Sequence, residues 1–116
     1  MPATSYEQLD AWKRGMDLVC EVYRVTRLLP TEERFGLISQ LRRAAVSIPS
    51  NIAEGSGRQG RRELLYHLSV ARGSLKELET LLAVLERLGY VVPAKLADSK
   101  DLCGHVSRLT FGMRRK

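Results

Sequence analysis

The sequence is short of cysteine and of long apolar runs, and each shortage excludes a class of protein. Its 116 residues include two cysteines, too few for the disulfide frameworks that stabilise small secreted domains. The longest uninterrupted apolar segments are far shorter than the roughly 20 residues that cross a bilayer as a helix. Internal repeats, low-complexity tracts and strand-like alternation are missing too. What remains is a chain with 44% apolar and 28% charged residues, which is typical of a soluble globular protein.

The chain also lacks the signals that direct proteins out of the cytosol. Its start, MPATSYEQLDAW, has neither the basic segment nor the apolar stretch of a secretory signal. We therefore expect a cytoplasmic protein in which Cys20 and Cys103 are free thiols, buried on apolar helix faces. A length of 116 residues fits one domain with one core, so we expect a single domain over residues 1–116.

Helix-breaking residues divide the sequence into four helical segments. Pro30, the glycines at 55–60 and the stretch 89–93 each interrupt an apolar pattern with helical period. Ser5 is a candidate N-cap of the first helix and Gly89 a candidate C-cap of the third. Short connections between long helices favour antiparallel neighbours. The sequence therefore predicts an all-α protein, an antiparallel up-down four-helix bundle, with helices over about residues 6–29, 31–55, 61–88 and 93–113.

The first helix carries two apolar rows. The main row, which keeps to one face through spacings of three and four, consists of Leu9, Trp12, Met16, Val19, Tyr23 and Thr26. The second row consists of Leu18, Val22, Val25 and Leu29. A bundle of this size cannot bury every apolar side chain, so we expect self-association. In the alternative, the extra residues pack under loops or stay singly exposed.

The stretch RRAAVSIPSNIAEGSGR, residues 42–58, is more polar than a plain bundle helix. Pro49 leaves the Ala45 carbonyl without its usual donor, which predicts a kink in helix two near Pro49. Two interpretations of the polar side chains remain open. Either Ser47 and Ser50 satisfy the freed carbonyl, or the polar residues form a hydrogen-bonded seam with a neighbouring helix or subunit. The polar row consists of Arg43, Ser47, Ser50, Asn51, Glu54 and Arg58.

A longer run around this stretch carries a family resemblance. SQLRRAAVSIPSNIAEGSGR, preceded by LLPTEERFGL and followed by LLYHLSVARGSLKELETLL and LERLGY, resembles the bacterial four-helix-bundle family of proteins encoded in intervening sequences of large-subunit ribosomal RNA genes. The likeness covers about residues 8–110. It implies a pentameric ring, no catalytic activity, and a relation to accessory proteins that bind a reverse transcriptase and RNA. The family positions it implies are Leu9 and Trp12 on helix one, Arg43, Ser47, Pro49, Asn51, Glu54 and Gly55 on helix two, and Ser74, Glu77 and Glu79 on helix three.

Basic residues outnumber acidic ones only in the second half of the chain. Residues 1–57 hold seven of each sign, whereas residues 58–116 hold twelve Lys or Arg and six Asp or Glu. Such a surface favours phosphate groups as partners; in the alternative, the arginines only keep the protein soluble. We expect a cluster of arginines around the junction of helices two and three, formed by Arg42, Arg43, Arg58, Arg61 and Arg62, and a basic tail at residues 114–116. Tyr66 is the one aromatic residue near this cluster, so base stacking is not expected. The residues expected to bind RNA or DNA are Arg42, Arg43, Arg58, Arg61, Arg62, Arg114, Arg115 and Lys116.

The sequence has no motif for catalysis or for metal binding. A di-iron site in a four-helix bundle needs Glu-x-x-His pairs, which neither His67 nor His105 completes, and Ser47, Ser50 and Ser74 have no base near them in sequence. We expect no enzyme, no cofactor, no metal and no membrane partner. The favoured function is a non-enzymatic oligomeric scaffold that binds RNA or a ribonucleoprotein. The alternative is a protein-binding adaptor, such as an accessory subunit of a reverse transcriptase, with no nucleic-acid role of its own.

Overall fold

Four helices account for most of the computed structural model, which describes residues 6–115. They are α1 (Asp10–Thr26), α2 (Leu37–Gly57), α3 (Arg61–Arg87) and α4 (Ala97–Arg114). Three short 3₁₀ helices, Tyr6–Gln8, Thr31–Glu33 and Pro93–Leu96, precede α1, α2 and α4. Consecutive helices pack together, and α4 also packs on α1. No strand occurs within residues 6–115, so the predicted all-α four-helix fold is confirmed.

Contacts between neighbouring helices show that each pair runs antiparallel. Between α2 and α3, Ser47 contacts Ser74 while Asn51, further along α2, contacts His67, which comes earlier on α3. The bundle interior that results is built from aliphatic side chains. Those with no exposed surface include Leu18, Val22, Leu41, Ile48, Ile52, Leu68, Leu78, Leu82 and Leu96.

The structure reverses the roles predicted for the two apolar rows of α1. The second row, which we predicted to remain outside the core, is the one that faces it. Its exposed surface is zero at Leu18, Val22 and Val25 and 8% at Leu29. In the predicted main row, Thr26 is buried, Leu9, Trp12, Val19 and Tyr23 are half-buried, and Met16 is 40% exposed. Both rows have helical period, and the buried one is the row that continues through the small residues Ala11 and Gly15. Side chains that small let neighbouring helices approach closely.

Three predicted helix starts are too early. The first helix begins at Asp10 rather than near residue 6, and Ser5 lies outside the described residues. Thr31 and Pro93 begin separate 3₁₀ turns, and α2 and α4 start only after them. At α2 the Leu37 N–H donates to the Glu33 carboxylate at 3.1 Å. The acidic 3₁₀ turn that precedes α2 therefore supplies an acceptor for a backbone N–H at the start of this helix.

The end of α3 follows its sequence signal. Gly89 adopts φ +76°, the left-handed conformation that glycine tolerates without strain. The Tyr90 N–H then donates to the Leu85 carbonyl at 3.0 Å, the six-to-one bond that closes a helix with a C-terminal glycine. Gly89 therefore ends the helix as predicted, although the C-cap itself is Leu88 and Gly89 is the residue after it.

Pro49 lies within α2, which is helical on both sides of it. Its ring is buried against α1, where a Cβ added at Gly15 would lie 3.4 Å from the Pro49 Cβ. A glycine at position 15 thus gives the proline room at the α1–α2 contact. The kink near Pro49 stays a prediction.

The two cysteines have different surroundings. Both are free, but Cys103 is buried and Cys20 is exposed, so the expectation of two buried thiols is wrong for Cys20. Cys20 falls on the outer side of α1 because the core-facing row is centred on Leu18 and Val22. Burial raises the pKa of the Cys103 thiol to about 12, with a smaller contribution from the negative charge of Glu79.

None of the helices within the described range combines the length and the apolar character that a membrane crossing requires.

Candidate nucleic-acid interface

Five arginines lie at one end of the bundle, where α2 ends, α3 begins and α4 ends: Arg58, Arg61, Arg62, Arg114 and Arg115. The Arg61 guanidinium donates to the Arg114 carbonyl, so the start of α3 and the end of α4 are in direct contact. Arg62 and Arg115 follow these two residues in sequence, and all four side chains are exposed. Residues that are 53 positions apart thus form one cationic surface.

Most of this positive charge has no compensating carboxylate. Arg58 is the exception, because its guanidinium lies 2.6 Å from the Glu54 carboxylate one turn earlier on α2. The hydrogen bond from Arg58, reinforced by its charge, holds the pKa of Glu54 below its usual value. Within residues 6–115, Arg61, Arg62, Arg114 and Arg115 form no ion pair. They are the part of the predicted cluster whose charge is open to a partner.

The structure adds two residues that the sequence reasoning missed. Arg72 lies on α3 with its guanidinium carbon 5.4 Å from the centre of the Phe111 ring, and the corresponding distance for Arg114 is 5.6 Å. Arg72 also donates to the Ser107 carbonyl on α4 at 3.4 Å. We call the surface formed by Arg61, Arg62, Arg72, Phe111, Arg114 and Arg115 the basic face.

A helical-spacing argument would have found one of these two residues. Arg72 follows Arg61 by eleven residues, which is close to three turns, so both side chains project from the same side of α3. Phe111 gives no such signal, because its role depends on which side of α4 packs beside α3. Tertiary packing determines which side of α4 lies beside α3, and the sequence around Phe111 contains no local pattern that indicates this side.

Arg42 and Arg43 do not join the cluster, so their predicted place there is wrong. Sixteen residues separate Arg42 from Arg58, which is about 24 Å along a helix axis. Arg42 is half-buried against α1, where its Nε donates to Thr26 Oγ1 at 2.9 Å and its guanidinium lies 4.2 Å from the centre of the Tyr23 ring. Arg43 is exposed on α2, and Lys116 lies outside the described residues.

Part of the predicted polar row forms hydrogen bonds between α2 and α3. The Ser47 and Ser74 hydroxyl oxygens lie 2.8 Å apart, and the Asn51 amide donates to the Ser47 carbonyl at 2.8 Å. Since its amide nitrogen donates, the Asn51 Oδ1 accepts from His67 Nδ1, at 3.0 Å. We call Ser47, Asn51, His67 and Ser74 the polar seam.

The rest of that row lies outside the polar seam. Glu54 pairs with Arg58 on its own helix, and Ser50 is exposed. The other interpretation requires Ser47 or Ser50 to donate a hydrogen bond to the Ala45 carbonyl that Pro49 leaves free. Neither hydroxyl does so. Of the two glutamates that the resemblance implies on α3, Glu77 is exposed and Glu79 pairs with Lys76 at 3.3 Å.

Gly55 sets the distance between α2 and α3 at one end of the polar seam. A Cβ added there would lie 2.9 Å from the His67 Cβ, closer than real carbon contacts allow. The two helices therefore approach each other closely next to the arginine cluster.

The basic face borders a concave surface. An open cavity of about 430 Å³ lies where α2 passes into α3, with Leu9, Leu64 and Met113 along its apolar lining and Arg58 and Arg61 among its polar residues. The described part of the chain contains no group of three metal-binding side chains. Glu63 and His67, one turn apart, have no third ligand beside them there.

The fold and this surface define a small all-α helical-bundle protein with an arginine face that forms no ion pair within residues 6–115. Residues 7–112 match the model of the 23S rRNA-intervening sequence protein family. The chain belongs to that family, and the resemblance stated from its sequence motifs is confirmed. A comparison with curated protein sequences found no match.

Proposed function

We propose that the protein is a non-enzymatic, oligomeric helical scaffold that binds RNA through the basic face. The observation that carries the proposal is the group of exposed arginines on α3 and α4 that have no ion-pair partner within the described residues. The family is named for sequences that interrupt ribosomal RNA genes, which is compatible with an RNA-related role.

Phosphate groups are the natural partners of these side chains. A guanidinium presents several N–H donors in a fixed plane, which matches the oxygens of a phosphate, and each contact releases a condensed counter-ion from the nucleic acid. Affinity of this kind requires no sequence readout, so the proposed scaffold binds RNA by its backbone.

The proposed self-association adds avidity to RNA binding. Tyr6 and Trp12 pack edge to face with ring centres 5.4 Å apart, and Met16 and Val46 are 40% and 41% exposed. We call these four residues the apolar strip, and a second copy of the chain is its proposed occupant. A pentamer, as the resemblance implies, repeats the basic face around a ring and raises the affinity for a long RNA without any new contact.

Two matched triple variants test RNA binding. R61Q/R62Q/R114Q removes three charges from the basic face, and R27Q/R34Q/R87Q removes three exposed arginines from the opposite end of the bundle. Both lower the formal net charge from +6 to +3, so long-range attraction changes equally. At low salt, we expect the first variant to lose at least about tenfold in RNA affinity while the second stays close to wild type.

The adaptor hypothesis gives a different outcome in the same assay. If the wild-type protein does not bind RNA at low salt, RNA binding is ruled out and the protein-binding adaptor becomes the better account. Equal losses in the two triple variants would show that net charge, and not the basic face, causes the attraction.

A further inference from the structure

We infer that Phe111, whose ring has the guanidinium groups of Arg72 and Arg114 nearby, is a stacking platform for the bases of single-stranded RNA. This inference rests on the proposed function of the basic face and adds the form of RNA that it takes.

The geometry around Phe111 is that of an aromatic surface bordered by cations. Phe111 is 44% exposed, although α4 has a buried side that includes Cys103 and Val106. The guanidinium carbons of Arg72 and Arg114 lie 5.4 and 5.6 Å from the ring centre, within the range of cation–π attraction. Arg72 comes from α3 and Arg114 from α4, so two helices hold the site together.

Backbone contacts join α3 and α4 beside the ring. The Arg72 guanidinium donates to the Ser107 carbonyl, and the Arg61 guanidinium donates to the Arg114 carbonyl. The positions of Arg61 and Arg72 are therefore restricted before any RNA arrives, which lowers the entropic cost of binding.

An exposed ring beside cations matches the chemistry of a single strand. Every base has an aromatic face that can stack on phenylalanine or on a guanidinium plane, and the adjoining phosphates contact the cations. In a duplex the base faces are covered by their neighbours, so a protein reaches mainly phosphates and 2′-hydroxyls. Phe111 therefore adds affinity for single strands that the arginines alone do not provide.

The chain contains its own control for this proposal. Phe35 is 89% exposed and has the guanidinium of Arg34 5.6 Å from its ring centre. It lies in the connection between α1 and α2, at the end of the bundle away from the basic face. It thus has the same ring and a neighbouring arginine without the surrounding cluster.

The test compares F111L, F111W and F35L on an oligouridine of about 15 nucleotides and on an RNA duplex of the same length. Leucine keeps the apolar contact and the net charge but cannot stack. We expect F111L to weaken oligouridine binding about fivefold or more and to leave duplex binding and the salt dependence unchanged. F111W is expected to keep the affinity, with its fluorescence quenched by the bound bases, and F35L to behave as wild type.

Each contrary result has a distinct meaning. Unchanged oligouridine binding in F111L, while R61Q/R62Q/R114Q still loses affinity, overturns the stacking platform and leaves the proposed function in place. Equal losses on single strand and duplex overturn it as well, because they indicate a change in the arginines rather than in stacking. Absence of RNA binding by the wild-type protein overturns both proposals. Circular dichroism of each variant shows whether the fold is retained.

Discussion

Among single residues, Asn51 has the most demanding position in the polar seam. Its amide nitrogen donates to Ser47 and its carbonyl oxygen accepts from His67, so one side chain joins two turns of α2 to α3. Both neighbours are half-buried, and a polar group that loses its partner away from water costs free energy. Glu54, on the next turn of α2, is exposed and forms its hydrogen bonds and ion pair with Arg58 of its own helix.

We expect N51A to lower the free energy of unfolding by about 1–3 kcal/mol, because it leaves His67 Nδ1 without its acceptor. E54A is the control, and we expect it to unfold like wild type, since an exposed pair within one helix contributes little. Urea denaturation followed by circular dichroism measures both. Equal stability of N51A and wild type would mean that the seam does not hold α2 on α3.

The sequence could predict the polar row but not which of its members meet another helix. Helical spacing places Ser47, Asn51 and Glu54 within a narrow arc of α2. Whether a residue in that arc touches α3 or solvent depends on the rotation of the whole helix, which is set by the buried residues of both elements. Ser47 and Asn51 fall on the α3 side of the arc and Glu54 beyond it.

At the scale of helices, close approach is set by glycines rather than by leucines. Gly55 lies at a close approach of α2 to α3, and Gly15 lies where α1 meets Pro49 of α2. The two apolar rows of α1 show why such contacts escape sequence analysis. Each row has the right period, and the row that extends through Ala11 and Gly15 is the one that turns inward.

A pair of glycine substitutions separates the packing effect from helix propensity. G73A, in open space in the middle of α3, is expected to raise the free energy of unfolding by up to about 1 kcal/mol, because alanine is the better helix former. G55A introduces the same methyl group 2.9 Å from the His67 Cβ. We expect it to lower the free energy of unfolding by about 1–3 kcal/mol through overpacking. Thermal and chemical denaturation of both variants provide the measurement, and stabilisation by G55A would contradict the close approach.

At the scale of the whole molecule, the fold follows from the sequence but the composition of the charged surface does not. Four apolar-periodic segments and their breakers suffice to predict a helical bundle. The cluster is different, because Arg42 lies far from Arg58 along α2 whereas Arg61 and Arg114, 53 residues apart, are in contact. Proximity in sequence is a poor guide to proximity across a bundle of long helices.

Self-association is tested on the apolar strip. M16K/V46K places two charges on side chains that are about 40% exposed, so we expect the fold to persist and the assembly to dissociate. F35K, which charges a more exposed apolar residue away from the strip, is expected to keep the wild-type mass. Sedimentation or light scattering distinguishes the outcomes. A monomeric wild-type protein, or an M16K/V46K variant of unchanged mass, would show that the strip does not join subunits.

The most direct test of RNA binding by the basic face is the salt dependence of the binding constant. For a single strand, the slope of log Kobs against log salt falls by about 0.7 for each phosphate contact. We predict a steep negative slope for wild type and for R27Q/R34Q/R87Q, and a slope shallower by about 2 for R61Q/R62Q/R114Q, which lacks three contacts. A wild-type slope near zero, or the same slope in both triple variants, would contradict the account.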